Sequence, residues 1–430
     1  MVPHLVTALK GPLLELERRF LEATPQIERW FRLAWQEHTP PFYCATDLRN
    51  AGFKLAPVDT NLFPGGFDNL AADTLPLAVQ AAMAAIEKYC PDARNLLLIP
   101  ESRVATPNYL RNVARLCAIL RQTGLNVRLG SLDPEVRGPT ALAVADGPQL
   151  VIEPLVRRGR RVGLEDFDPC SILLNNDLSA GLPDILKDLH EQVVLPPLHA
   201  GWAVRRKSNH FAAYRDVAKR FGKAFGIDPW LIDPFFSSCA DVNFNERAGE
   251  ECVAARVDTL LRQMRSKYRE YGIGETPFVI IKADAGTYGM GVVSVRDAAE
   301  VRSLSPRQRN ALSVSKDGLE VTRVILQEGV PTFESIDDAW AEPVVCMIDR
   351  YVVGGFYRVH AERGRDENLN APGMQFVPLP FAASCNLPDA SAGGDAAANR
   401  FYAYGVVGRL ALLAASIELE KTDPDQSLYG

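Results

Sequence analysis

The sequence predicts an α/β protein of two domains, a Rossmann-like α/β domain over residues 1–200 and a second α/β domain over residues 201–430. Three observations carry this. At 430 residues the chain exceeds what one hydrophobic core ordinarily serves. Between residues 95 and 175, strand-length apolar runs alternate with helical periodicity, the pattern of a mostly parallel sheet. From Pro277 onward, a β-branched run ends in Lys282 and is followed at once by glycines.

In chain order, residues 11–37 carry a helical stripe of Leu13, Leu14, Leu16, Phe20 and Leu21. The segment 44–67 is polar and glycine-rich and reads as a loop, and helical periodicity returns at 75–90. Asn95–Ile99, Asn126–Gly130, Leu150–Val156 and Ser171–Asn175 read as strands, with a helix near 107–123. Arg157, Arg158, Arg160 and Arg161, around Gly159, read as a solvated hairpin turn. A helix near 210–224, a loop from Asp228 through Asp241 and a helix near 247–271 lead to the lysine strand. Val321–Leu326 follows as a strand, then a hairpin of Val344–Ile348 with Tyr351–His360, a loop at 362–373 and a final helix near 400–419. The stretch 384–399, rich in Ala, Gly, Ser and Asp, reads as a mobile surface loop, and the tail after Lys421 as disordered.

Composition narrows the class. Hydrophobic content of 47% and charged content of 23% are those of a globular protein. A net charge of −6 without a long basic run leaves no electrostatic footprint for nucleic acid. The eight cysteines form no C-x-x-C pair and no His-paired zinc spacing, which suggests reduced thiols in the cytoplasm. The N-terminus lacks the pattern of a secretory signal, and no run approaches the ~18 uninterrupted apolar residues of a membrane span. A soluble, cytoplasmic protein is expected, with no nucleic acid and no membrane; a homo-oligomer is compatible with this.

The chemistry concentrates at Lys282. Phe278, Ile280 and Lys282 share one face of their strand. Gly286, Gly289 and Gly291, with Tyr288 among them, form a loop whose backbone approaches a ligand closely and reaches positive φ without steric cost. This suits a triphosphate, with the lysine aimed at its oxygens. It is not a Walker A loop, in which the lysine follows the glycines. A buried strand leading to an ordinary glycine turn explains the same residues.

A strand lysine preceding a glycine-rich loop resembles the ATP-grasp ligases. That resemblance implies a pre-ATP-grasp domain followed by an ATP-grasp domain of the glutathione synthetase kind. The run Arg323-Val-Ile-Leu-Gln-Glu-Gly-Val330 is similar to the hinge beneath adenine in that family, which assigns Gln327, Glu328 and Val330 to the base. The hairpin through His360 resembles one whose second strand carries an arginine, here Arg358, to neutralise the transferred phosphoryl group. His360 is expected to hold structure by hydrogen bonding. The loop Asp366-Glu-Asn-Leu-Asn-Ala-Pro-Gly-Met374 is similar to the loop that closes over the γ-phosphate. The Glu-x-Asn strand of that pattern has no counterpart, which leaves Glu367, Asn368 and Asn370, then Asp349, as the expected oxygen donors to Mg2+.

Lys282-Ala-Asp-Ala-Gly-Thr-Tyr-Gly-Met-Gly291, Asp59-Thr-Asn-Leu-Phe-Pro-Gly-Gly-Phe67, Arg205-Arg-Lys-Ser-Asn-His-Phe211 and Asp228-Pro-Trp230 together look like the proteobacterial GshA-type glutamate–cysteine ligases. The resemblance implies ATP-driven joining of the glutamate γ-carboxylate to the cysteine amine through an acyl phosphate, the first step of glutathione synthesis. Lys282 and Arg358 would be catalytic. Asp47, Arg49, Asp59, Asn61, Asn368 and Asn370 are the candidates for the amino-acid substrates, capping roles in a loop being the alternative for the first four. Lys207 is either a second phosphate-facing cation or a solvated charge at a helix start. Another carboxylate–amine ligase with different amino acids stays open. So does a nucleotide-binding redox protein, although no G-x-G-x-x-G follows an early strand.

Overall fold

Four sheets organise the chain in the computed structural model, which describes residues 5–6, 11–101, 106–145, 147–286, 291–314, 318, 320–379 and 400–424. One is the parallel sheet expected from the alternating pattern. Its order is Val193–Leu195, Ser171–Asn175, Asn95–Pro100, Asn126–Ser131, Leu150–Pro154, Thr140–Leu142, with only the last strand antiparallel. The helices Leu75–Tyr89 and Pro107–Gln122 bury Ala82, Ala85, Val113 and Leu116 in the same core as Leu96, Leu98 and Leu173 of its strands.

A four-stranded antiparallel sheet carries the lysine. Its order is Phe236–Ala240, Arg323–Glu328, Val279–Ala283, Val293–Val295. The first of these strands lies where a loop was expected. Phe-Ser-Ser-Cys-Ala has little strand signal of its own, and the ladder to Arg323–Glu328 holds it extended.

The largest sheet has seven strands, with Ala339–Ile348 paired to Tyr351–His360 on one side and to Tyr43–Asn50 on the other. Leu55–Asn61 extends it beyond Tyr43–Asn50. The segment 44–67 therefore begins as two largely buried strands, not a loop, because its polar side chains face a functional cleft instead of solvent. The expected boundary at 200/201 does not divide the sheets, since Asp47 lies across the ladder from Val344. Long-range pairing of this kind leaves no local mark in sequence.

The expected helix over 11–37 is two, Pro12–Glu22 and Thr24–Glu37, because Pro25 has no N–H with which to continue the first. The arginines of the hairpin Val156–Arg158/Arg161–Gly163 are not merely solvated. Arg157 donates to the carbonyls of Ile185 (2.8 Å) and Lys187 (2.6 Å), stapling a neighbouring segment. The helix Arg400–Thr422 is long and apolar enough to cross a bilayer, yet most of it is buried inside the protein. It packs on the helix Lys207–Phe225 and on Tyr43–Asn50 and Leu55–Asn61 as a core helix. The stretch 384–399 and the tail from 425 lie outside the described residues.

Candidate functional site

A cleft opens over the lysine strand. Alternation along Val279–Ala283 and the residue before it turns Phe278, Ile280 and Lys282 into the cleft, and Gln327, opposite Ile280 in register, joins them. Lys282 Nζ donates to Val58 O at 2.6 Å. Burial draws its pKa down to about 8, and nearby Asp59 opposes this. Lys207 is not a solvated helix start. It is the first residue of Lys207–Phe225, it is buried, and its Nζ donates to both oxygens of Asp59 at 2.6 and 2.8 Å. Two ammonium groups thus converge on one carboxylate. Burial alone would raise Asp59, but Lys207 and Lys282 outweigh it and hold the carboxyl well below its usual range. Gly286 lines the cleft at φ +94°, and Gly291 (φ +66°) has no room for a Cβ, which would meet Ala311 O at 2.4 Å. Tyr288 and Gly289 lie outside the described residues.

The expected hinge lines the cleft through Gln327, Glu328 and Val330. Gln327 is 2% exposed, and its Nε2 has no partner among the described residues, a buried donor presented to whatever fills the cleft. Glu328 differs from expectation. Its carboxylate turns behind the cleft to Lys54 Nζ (2.8 Å), Trp230 Nε1 (3.1 Å) and Phe235 N (2.9 Å), and its own N–H is committed to Phe235 O. Its side chain therefore supports the wall and leaves contact with a base to Gln327 and to apolar Phe278, Ile280 and Val330.

The large sheet supplies the cleft floor. Arg358 Nη1 bridges Asp47 (3.0 Å) and Glu342 (2.5 Å), and Glu342 also takes Arg49 Nε at 2.5 Å. Burial would lower the Arg358 pKa, but these carboxylates raise it, so the charge is permanent. The Arg49 Nη groups donate to the carbonyls of Arg365 (3.1 Å) and Glu367 (2.7 Å). Although expected at the substrate, Arg49 spends its donors on Glu342 and on anchoring the loop at 362–373. His360 holds that loop too, its Nε2 lying 3.0 Å from Pro372 O.

Glu367 and Asn370 both line the cleft, with Asn368 beside them making paired bonds to the Asn370 backbone. Among the described residues no three His, Cys, Asp or Glu side chains cluster to hold a metal. Magnesium needs no such cage, since one or two carboxylates with phosphate oxygens and water suffice, and Glu367 with Asn370 fit that sparse set. Asp349 does not. It sits in the turn between Ile348 and Tyr351, pairs with Lys88, and lies past the end of the strand, whose Tyr351 is itself roughly 23 Å from Arg358.

A second cavity adjoins the first and shares Asp47, Asp59, Arg358 and Asn370 with it. Asn61 lines only this second cavity, together with Glu101, Tyr109, Asn112, Asn175 and Asp177. Tyr109 OH bonds to Asn175 O (2.8 Å), and Asn112 Nδ2 to Asn175 Oδ1 (3.3 Å), fixing the polar wall. Sequence reasoning missed these five residues. A usable signal existed: Glu101, Asn175 and Asp177 stand at or just beyond the carboxyl ends of parallel strands, where open α/β sheets bind ligands.

A phosphate-suited cleft opening through a shared row of charges into an amino-acid-sized polar cavity defines a nucleotide-dependent ligase. The glutamate–cysteine ligase (GshA) model matches residues 17–419, and the chain belongs to that family. A crystal structure from Methylobacillus flagellatus KT, described as a candidate gamma-glutamylcysteine synthetase, is 61% identical, covering 98% of this chain and 100% of that one at a TM-score of 0.90. D-alanyl-alanine synthetase A from Vibrio cholerae O1 biovar eltor overlaps at 12% identity over 66% of this chain and 73% of that one, with a TM-score of 0.32, too slight a likeness to carry an inference. No curated protein sequence matches.

Proposed function

We propose that the protein is an ATP-dependent glutamate–cysteine ligase of ATP-grasp type, acting in the cytoplasm to form γ-glutamylcysteine. The observation that carries this is the row Asp47, Asp59, Arg358 and Asn370, common to both cavities, because ligation must bring a phosphoryl donor and an amino acid together at one boundary. Phe278, Ile280, Val330 and the unpartnered Gln327 amide suit an adenine base. Lys282, Lys207 and Gly286 suit the phosphates.

In the first step a γ-carboxylate oxygen attacks the terminal phosphorus and ADP departs. Charge develops on the transferred oxygens, and Arg358 and Lys282 meet it without titrating into neutrality below about pH 8. Magnesium, held by Glu367 and Asn370, would neutralise phosphate charge. In the second step the amine displaces phosphate from the acyl phosphate. The loop at 362–373, anchored by Arg49, lines the cleft through Glu367, Asn368 and Asn370, and its closure would keep water off the acyl phosphate.

The test is phosphate release with ATP, magnesium, glutamate and cysteine, with the product identified by mass. Release that needs both amino acids and yields γ-glutamylcysteine supports the proposal. Release indifferent to cysteine replaces it with a ligase for another amino-acid pair.

A further inference from the structure

On the strand Tyr43–Asn50, side chains of one face run from the second cavity to the first: Ala45 lines the second, Asp47 both, Arg49 the first. Asp47 is half-buried, whereas the other residues of this strand are buried. Its direct partner across the ladder is Asp59. The two carboxylates have opposite surroundings. Asp59 is saturated by Lys207 and lies near Lys282. Asp47 ion-pairs with Arg358, which it shares with Glu342, and it faces the charges of Glu342 and Asp59 as well as that of Lys282. Burial and those two carboxylates raise the Asp47 carboxyl, with Arg358 opposing, while Asp59 stays ionised. Carboxylates driven apart in this way mark the group that moves a proton.

We propose that Asp47 is the catalytic base of the ligation step, taking a proton from the ammonium group of the amino acid in the second cavity so that a neutral amine meets the acyl phosphate. This rests on the ligase function proposed above. The ammonium gives one proton to the Asp47 carboxylate. The freed nitrogen lone pair forms the C–N bond, and the C–O bond to phosphate breaks with its electron pair leaving on phosphate. The second nitrogen proton departs with that phosphate, and Asp47 returns its proton to solvent through the second cavity. No oxidant, reductant or further co-reactant is required.

Asp47→Asn tests this. The amide oxygen still accepts from Arg358, and Glu342 still pairs that guanidinium, so the fold is retained. The variant is assayed with cysteine and, separately, with hydroxylamine, which is already unprotonated at neutral pH and traps the acyl phosphate as a hydroxamate. Cysteine ligation should fall by about 10²–10⁴-fold while hydroxamate formation persists, and Asp47→Glu should recover part of the cysteine rate. Equal losses with both nucleophiles, or no loss with either, overturn the proposal. Should the Asn variant melt early, Asp47→Glu decides: an acidic limb with cysteine displaced from that of the unaltered enzyme, with the hydroxylamine profile unmoved, supports it, and superimposable cysteine profiles overturn it. Absence of hydroxamate from the unaltered enzyme instead overturns the ligase function itself.

Discussion

Lys282 Nζ donates to the carbonyl of Val58 at 2.6 Å, tying the glycine-flanked strand to one that lies 224 residues earlier. The phosphate cation is thus seated by the strand that also carries Asp59. Its position is fixed by two sheets, and its charge by Asp59 set against burial.

Lys282→Met should therefore lower kcat by two to three orders of magnitude, the ~3–4 kcal/mol of one preorganised charge donor. The melting temperature should change little. The pH dependence has a definite sign. With a pKa of about 8, Lys282 is charged below that value and neutral above it, so kcat/KM for ATP should fall as pH rises through 8. A flat profile between pH 7 and 9 would exclude Lys282 as the governing group.

Glu342 is the keystone of the cleft floor, taking Arg49 and Arg358 at 2.5 Å each from within the core. Glu342→Gln leaves two buried guanidinium groups sharing fewer anions. Removing one partner of a buried pair typically costs about 3–5 kcal/mol, and Asp47 should bring this case to the lower end. Urea denaturation should register the loss as a lower midpoint at unchanged m.

Much of the site is legible in the sequence where the signal is local. Lys282 and its glycines follow a strand in the order that phosphate binding requires, and Arg358 sits at one face of a clear hairpin strand. The segment 44–67 misleads because polar residues on a strand read as loop when their polar neighbours come from strands hundreds of residues away. The second cavity takes Asn61 and Asn370 from segments with a motif, but Glu101, Tyr109, Asn112, Asn175 and Asp177 come from elements that carry none. Asp349 misleads for another reason. It holds φ +49°, a turn conformation that aspartate tolerates well, and that backbone requirement explains its place in the hairpin without any ligand.

Behind the cleft, Lys54 is 0% exposed, bonded to Glu328 at 2.8 Å and 4.4 Å from the centre of the Trp230 ring. It touches no part of the cleft, so its influence on nucleotide must pass through Glu328. Lys54→Met leaves a buried carboxylate unpaired and should destabilise by about 3–5 kcal/mol while raising KM for ATP more than it lowers kcat. Adding Glu328→Gln to Lys54→Met removes the stranded charge and should restore much of the stability. Additive losses in the double variant would mean that the two side chains act separately.

His210 reports on the join between the C-terminal helix and the site. Arg205 binds Glu418 at 3.0 Å and the Thr60 carbonyl at 2.8 Å, while His210 Nδ1 lies 3.1 Å from the same Glu418. Burial lowers the His210 pKa, with Glu418 opposing, so the folded protein holds the ring neutral where the unfolded chain would protonate it. A depressed folded pKa gives stability that is present above the unfolded value of about 6.5 and lost as pH falls below it. Glu418, also depressed because Arg205 and His210 outweigh its burial, loses its share only lower, below the ordinary carboxylate range. Unfolding free energy should therefore decline as pH falls below about 6.5, by no more than ~1.4 kcal/mol per pH unit from His210 alone. His210→Asn should flatten the decline just below pH 6.5 and leave the loss below pH 4.5 in place; an unchanged slope just below pH 6.5 would assign the decline to other groups.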